Sequence, residues 1–300
     1  MRKSCLIVAG VVAVVVIACV VGLGGWFAWT RLVKPAMAPK PERGQSTMRE
    51  TGKRSELPSI EMRVDSAGQG KALAGWPLLV RVSVRCPLSS ESQAPKPIVL
   101  TGRDGSWHDS LRLSVADTTG KSIQWPWRQP STERGPITLD GRTGLDWIWW
   151  LPGPDTQGIP PGKYSFRAVL DTTAVTTAEA WKGTVSSRPA SIVFESAQQH
   201  SPADVARREI LNARVDALGG KNSEAIARLL ALTRNQPKNI EALSLAAGLA
   251  AEVDRLEEAH ELYSRAIDAW YEDSPQPGAE PVLLLKARRE VRKRLLAQEP

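Results

Sequence analysis

The sequence predicts a multidomain chain in which an N-terminal transmembrane helix is followed by an all-β region and then by an all-α region. Three observations support this fold class. An uncharged apolar run fills the N-terminus, alternating apolar and polar residues fill the middle, and apolar residues at helical spacing fill the last third. The expected order is a membrane anchor over 1–30, a flexible linker over 31–58, a β-sandwich over 59–196, repeated helical hairpins over 200–272 and a capping helix over 281–298.

The charge is unevenly distributed along the 300 residues. The formal net charge is +7, but residues 31–58 hold seven Lys/Arg against three Asp/Glu, and residues 282–300 hold six against two. The basic excess therefore belongs to a linker and one terminal helix. Because nucleic-acid-binding domains concentrate basic residues on a folded surface, we expect no nucleic-acid partner. These stretches are typical of headgroup attraction or of a solvated face.

Residues 5–29 contain no charged residue and predict a membrane anchor. As a helix rising 1.5 Å per residue they would span about 37 Å, against a hydrocarbon core of about 30 Å. Signal peptides have a shorter apolar region, so we predict that the anchor is uncleaved and that the lipid bilayer is its partner. Two alternatives stay open: Cys19 ends a segment that resembles a bacterial lipoprotein box, and Gly22-Leu23-Gly24 resembles a small-residue cleavage site.

The orientation of this anchor is predicted differently by two rules. Five Lys/Arg lie between Arg31 and Arg49 and two precede the span, so the positive-inside rule places the soluble part in the cytoplasm. A charged start followed directly by an apolar run instead resembles a signal-anchor, which leaves the soluble part outside. We favour the extracytoplasmic location. Cysteine spacing does not decide the compartment, because Cys86 is the single cysteine after the span.

The middle of the chain has the period-two pattern of an antiparallel sheet. Valines alternate with arginine and serine in residues 78–86, and similar alternation recurs in residues 111–115 and 123–127, on either side of a turn at 117–120. Roughly seven to nine short strands separated by turn residues favour a β-sandwich.

One corner of this region carries a family resemblance. Pro161-Gly162-Lys163-Tyr164-Ser165-Phe166 resembles the corner before the sixth strand of immunoglobulin-like or fibronectin-type sandwiches. The resemblance implies that Tyr164 lies two residues ahead of an inward-facing position, which is Phe166 here and cysteine in antibody domains. Such sandwiches serve as spacers, adhesion modules and accessory domains, so the fold alone assigns no activity.

Tryptophan is concentrated in the β region, where eight of the eleven lie between Trp76 and Trp181. Exposed indoles stack on sugars, which raises a glycan-binding hypothesis, but we expect these side chains to fill the sandwich core or an interface. Alternation places Trp147 and Trp149 on one face of a strand and Trp150 on the other. Trp150 is therefore the indole whose exposure matters most.

Beyond residue 200 the composition changes to Ala, Leu, Glu and Arg at helical spacing. Ser201-Pro202-Ala203-Asp204 predicts a helix start with a side-chain N-cap, and Gly219-Gly220 predicts its end. Three further helices are predicted from about residue 222 to 234, from 239 to 253 and from 256 to 271.

A shift of 34 residues superimposes two of these helical segments. Ala225 then aligns with Ala259, and Leu229 with Tyr263. The pattern resembles the tetratricopeptide repeat, in which small alanines let the two helices of a hairpin approach. About three such repeats are normally needed for stability, because each buries its apolar face only against neighbours. Two repeats and a capping helix therefore predict support from the sandwich or from a second protomer in a homodimer.

The same resemblance implies a protein or peptide partner against the first helix of each pair. Its expected contacts are five side chains: Arg207, Arg214, Glu241, Ser244 and Glu252. Chaperone-type repeats begin a carboxylate clamp with lysine and asparagine at the positions of Ile210 and Arg214, so we do not expect capture of a chaperone C-terminus.

The sequence offers no constellation that indicates catalysis. Gly120-Lys121-Ser122 lacks the earlier glycine of a phosphate-binding loop, and His108, His200 and His260 lack metal-ligand spacing. We therefore expect neither an enzyme nor a cofactor or metal. The expected function is a membrane-anchored, non-enzymatic scaffold whose repeats bind a protein. The alternative is an envelope or surface sandwich that binds a glycan or another extracytoplasmic ligand.

Overall fold

The computed structural model describes residues 58–67, 70–86, 97–103, 105–130, 135–140, 144–196, 201–273 and 280–298. The predicted anchor, the Cys19 alternative and the linker up to residue 57 lie outside these ranges. Within them, no helix combines the length and the apolar character that crossing a bilayer requires.

A β-sheet region comes first and a helical region follows. The described strands are β1 (Ser59–Asp65), β2 (Lys71–Leu73), β3 (Leu78–Arg85), β4 (Ile98–Leu100), β5 (Leu111–Ala116), β6 (Ser122–Ile123), β7 (Ile137–Leu139), β8 (Gly144–Leu151), β9 (Gly162–Asp171), β10 (Thr184–Ser186) and β11 (Ala190–Glu195). The helices after them are α1 (Pro202–Leu218), α2 (Asn222–Asn235), α3 (Ile240–Glu252), α4 (Leu256–Asp273) and α5 (Val282–Gln298). Single helical turns lie at Trp107–Ser110 and Gly153–Thr156.

Two main sheets enclose the apolar core of the β region. The first is antiparallel, in the order β1-β3-β8. The second follows the order β2-β11-β9-β5-β6, with β10 also paired to β9, and its β2-β11 pair is parallel. A separate two-stranded sheet joins β4 to β7. Val80, Val82 and Val84 are buried in the core, as the alternation of β3 predicts.

The segment after β6 passes from the second sheet to the first. Arg128 and Trp150 exchange two backbone hydrogen bonds, of 2.9 and 3.0 Å, so this segment extends the β8 edge of the first sheet. On the way, the Trp125 ring packs against those of Tyr164 and Phe166, with centroids 5.1 and 5.6 Å apart. The crossing segment therefore closes one side of the β region.

Tyr164 fixes the turn that leads into β9. Its hydroxyl donates to the Pro160 carbonyl at 2.7 Å. Both Tyr164 and Phe166 are buried, because the alternation of β9 turns this face of the strand into the core.

Consecutive helices pack on one another from α1 to α5. The predicted helix start is confirmed: the Ser201 hydroxyl accepts from the Asp204 amide at 3.2 Å, and the Asp204 carboxylate accepts from the Ser201 amide at 3.0 Å. Gly220 adopts a φ of +78° after α1, which suits glycine because it lacks a Cβ. All five helices agree with the predicted spans to within a few residues.

Candidate interaction site on the helical region

One face of α1 packs on the β1-β3-β8 sheet, on the side away from the sandwich core. This contact, called the α1 interface below, consists of Trp76, Leu79, Ile148, Trp150 and Leu211, with Val215 and Leu218 packed against it. Trp150 is only 4% exposed. The prediction that Trp150 faces away from Trp147 and Trp149 is confirmed, and the side chain that covers it comes from α1.

Two arginines of α1 make polar contacts beside the α1 interface. Arg207 donates through Nε to the Ser66 carbonyl at 2.8 Å. Arg214 is 8% exposed, and its guanidinium lies 3.2 Å from the Glu241 carboxylate and 3.7 Å from that of Asp65. Arg214 therefore connects β1, α1 and α3 by charge.

The five predicted partner-binding residues fall into two groups. Arg207, Arg214 and Glu241 contact the sandwich or one another, while Ser244 is buried and donates to the Glu241 carbonyl at 3.1 Å. Glu252, at the C-terminal end of α3, is the one exposed member of the five. The structure thus assigns much of the predicted partner face to contacts within the chain, because the face of α1 that the resemblance reserves for a peptide lies on the sheet.

Glu252 lies close to a buried phenol. Burial, together with the Glu252 charge, raises the pKa of the Tyr263 hydroxyl to about 12. Although Glu252 is exposed as a residue, desolvation of its carboxyl raises the pKa of that group to about 7. Near neutral pH this end of α3 therefore changes between a charged acceptor and a neutral acid.

A serine, a histidine and an aspartate meet in the turn before β5. The Ser106 hydroxyl lies 2.7 Å from Nδ1 of His108, and Nε2 of that ring lies 3.4 Å from the Asp109 carboxylate. The His108 ring also stacks on Trp147, with centroids 5.3 Å apart. Ser106 is 3% exposed, so its hydroxyl is closed to a substrate in this structure, and the three groups order the turn. No signal in the sequence distinguishes this cluster, because polar residues two or three positions apart are common in turns.

The described tryptophans supply core rather than surface. None of the nine within the described ranges is exposed, because five are buried and four are half-buried. Core or interface packing is therefore confirmed for the eight indoles between Trp76 and Trp181, all of which belong to apolar clusters of the β region or of the α1 interface. A platform of exposed indoles, which the glycan hypothesis requires, is not found among them.

An open cavity of about 190 Å³ lies beside the start of β5 and the end of β9. Its charged lining consists of Arg103, Asp109, Arg112 and Asp171. Hydrogen bonds from Thr173 lower the pKa of the Asp171 carboxyl. Two cations and two anions line the cavity, so its charge does not favour a ligand of either sign. The described His, Cys, Asp and Glu residues form no group of three or more that could hold a metal ion.

Comparison with known proteins gives little further information. No protein-family model matches the chain, and no curated protein matches it. The sporulation control protein Spo0M of Bacillus subtilis is a structural neighbour with 12% identity and a TM-score of 0.25, over 53% of this chain and 55% of Spo0M. The chain therefore spans about half the length of Spo0M.

Two further neighbours are also distant. AggA, the major subunit of aggregative adherence fimbriae type I of Escherichia coli, has 12% identity and a TM-score of 0.25, over 47% of this chain and 96% of AggA. The Lin-41 filamin domain has 12% identity and a TM-score of 0.19, over 42% of this chain and 91% of that domain. Similarities this weak carry no argument about fold or function.

Proposed function

We propose that this protein is a membrane-anchored, non-enzymatic scaffold whose helical region binds another protein. The observation that carries the proposal is the attachment of stacked helices to the sandwich through the α1 interface and Arg214. A binding surface that is already held in one geometry loses less conformational entropy when a partner binds. The attachment therefore suits a module that presents helices to another protein.

The helical region supports an assignment to tetratricopeptide-like repeats. Ala225 and Ala259, which the 34-residue shift aligns, are both fully buried. Leu229 and Tyr263 are aligned by the same shift and lie in the same apolar core. Small residues at such positions let neighbouring helix axes approach, because the distance between axes depends on the side chains at the contact.

The sandwich supports an immunoglobulin-like assignment at one position. A tyrosine near the start of the sixth strand, with its hydroxyl bonded to the backbone a few residues upstream, is a hallmark of that fold. The hydrogen bond from Tyr164 to Pro160, with Phe166 buried two residues later, has this arrangement. In the proposal the sandwich is the rigid support that carries the helices.

The proposed anchor is residues 5–29, with the soluble part outside the cytoplasm. Lipidation at Cys19 is the alternative attachment, and it too would hold the protein at a membrane. The sequence of this uncharged run supports the proposal.

The proposed contact for the partner is the C-terminal end of α3 around Glu252. Glu252 is the exposed member of the five residues that the repeat pattern selects. Because the pKa of the Glu252 carboxyl is raised, the binding of a partner that donates a hydrogen bond to it should depend on pH near neutrality.

Photo-crosslinking in native membranes tests the proposal. A photoreactive amino acid replaces Glu252 in the full chain, and in the matched control it replaces Arg167, which is exposed on β9. We expect a protein adduct from position 252 that position 167 does not give. A second variant lacks residues 201–300. Only the loss of partners is counted for it, because the truncation exposes Trp150 and can create new contacts. Identical adducts from both positions, or a partner set unchanged by the truncation, would contradict the proposal.

A further inference from the structure

We propose that the outer face of α5 lies on an anionic lipid surface. This face, called the basic stripe below, consists of Val282, Lys286, Arg289, Lys293 and Leu296. The proposal goes beyond the scaffold function and shares with it only the presence of a membrane.

The basic stripe is one continuous line along the helix. Its members are spaced by alternate steps of four and three residues, which keeps them within about 80° of one another around the helix axis. All five are exposed, and the apolar ends are open as well, with Val282 62% and Leu296 58% exposed. The buried Leu284 and Val291 pack into the helical core on the opposite side of α5.

Five of the six basic residues of α5 divide into an inward and an outward set, and the sixth, Arg292, is exposed. Arg294 donates to the Ala251 carbonyl at 3.0 Å and pairs with Asp254 at 3.0 Å, and Arg288 lies 3.5 Å from the Ser264 hydroxyl. These two hold α5 to the helices before it. Within the described residues no ion pair involves Lys286 or Arg289, and Lys293 lies 3.4 Å from Glu290 of its own helix. The stripe cations are therefore open to an external anion.

The composition of the stripe favours lipid over an acidic protein or a nucleic acid. Helices that lie in a membrane interface combine Lys/Arg, which attract anionic headgroups, with apolar side chains that enter the acyl boundary. The stripe has cations at its centre and an exposed apolar residue at each end. A polyanion in water would use the cations but would leave Val282 and Leu296 without a function.

The acidic charge of α4 favours one orientation of the helical region on an anionic membrane. α4 has six acidic residues and one basic residue, whereas α5 has six basic residues and one acidic residue. Exposed acids of α4 include Glu257, Glu261, Asp268 and Glu272. An anionic surface attracts one helix and repels the other, so only an orientation with α5 toward the bilayer is favourable.

A fluorophore in the full chain tests the lipid contact. An environment-sensitive fluorescent amino acid replaces Ala297, which is exposed beside the stripe. The chain is reconstituted in vesicles of phosphatidylcholine alone or mixed with phosphatidylglycerol. We expect a blue shift of the emission in the mixed vesicles only. The shift should fade at high salt, because the screening length falls from about 10 Å at 0.1 M to about 3 Å at 1 M.

Charge-neutralised variants identify the groups responsible. Each basic residue near an anionic surface contributes about 1 kcal/mol to its attraction. In Lys286→Gln/Arg289→Gln/Lys293→Gln the equilibrium constant for contact between α5 and the lipid surface should therefore fall about 100-fold. Glutamine is a good helix former, and circular dichroism checks that helix content is kept. The matched control, Lys163→Gln/Arg167→Gln/Arg188→Gln, removes the same charge from exposed sites on the β region and should keep the shift.

Several results would overturn the proposal. One is an emission that does not shift in mixed vesicles, and another is an equal loss of the shift in the control variant. A shift in uncharged vesicles that grows with protein density would indicate contact with a second copy of the chain. A shift on addition of polyglutamate or RNA to uncharged vesicles would indicate an acidic protein or a nucleic acid as the partner. The anchor is tested separately by alkaline extraction from phosphatidylcholine vesicles. A chain that is extracted there but still floats with mixed vesicles would contradict the proposed anchor and support the lipid contact of α5.

Discussion

Trp150 lies where the β region and the helical region meet, and its neighbours explain why a large indole is used there. The strand places it opposite Trp147 and Trp149, and α1 covers it. Its backbone also pairs with Arg128. Trp150 therefore belongs to the sheet, to the α1 interface and to the edge of the sandwich.

We predict that Trp150→Ala lowers the free energy of unfolding by about 3–5 kcal/mol, the usual cost of removing a buried aromatic side chain. Chemical denaturation of the full chain in detergent, followed by circular dichroism, measures this change. Trp181→Ala is the control, because Trp181 is half-buried at the margin of the core and its loss should cost less. Equal costs for the two variants would show that α1 does not depend on Trp150.

Glu252 gives a second prediction at this scale, because its pKa differs between the folded and unfolded chains. The carboxyl pKa is about 7 in the folded chain and near 4.5 without the fold. Between these values the folded chain holds a proton that the unfolded chain has lost. The stability from this group is therefore full below pH 4.5, falls as the pH rises and is lost above about 7.

We predict that Glu252→Gln gains stability relative to the wild type as the pH is raised from 4.5 to 7, with no further gain above that range. Denaturation of both proteins across this range measures the difference. Glu257→Gln, at an exposed site on α4, is the control. A difference that is constant with pH would contradict the desolvation of Glu252.

At the scale of elements, local signals predicted the helices well because each start and end lies in a few neighbouring residues. Pairings between distant segments carry no such signal. β2 pairs in parallel with β11, and β4 pairs with β7, although long stretches of chain separate the partners. The crossing at Arg128 was also not predicted, since its hydrogen bonds go to the backbone and leave no trace in residue type.

The N-terminal cap of α1 gives a prediction for one element. Ser201→Ala removes the acceptor for the Asp204 amide and should cost about 1 kcal/mol of stability, within a usual range of about 0.5–2. Ser201→Thr keeps a hydroxyl at the cap and should retain most of the stability. Denaturation curves of the two variants provide the comparison, and an equally stable Ser201→Ala protein would contradict a contribution from the capping box.

For the whole molecule, the sequence predicted that the helices pack against another surface, but it did not distinguish the sandwich from a second protomer. Periodicity identifies which side of a helix is buried, and it does not identify what buries it. The same side of α1 served the peptide hypothesis and the sandwich contact equally well. The structure places the sandwich there, and Arg207 and Arg214 contact it in place of a partner.

We predict that residues 201–298 made alone are only marginally stable. Without the sheet, Leu211, Val215 and Leu218 of α1 face water. Circular dichroism melts with analytical ultracentrifugation test this prediction. A cooperative melt at high temperature by a monomer would show that the helical region needs no support.

The α1 interface is completed late in synthesis, because α1 follows every strand of the sheets in the chain. Residues Trp147–Leu151 of β8 are all buried, but part of their cover is α1, which ends roughly 70 residues further along the chain. The sandwich is complete only with β11, which ends at Glu195, 23 residues before the end of α1 at Leu218. At about 5–20 residues per second, a newly completed sandwich exposes the Trp150 surface for roughly one to five seconds. During synthesis this face of the sheet is therefore an exposed apolar patch until α1 is made.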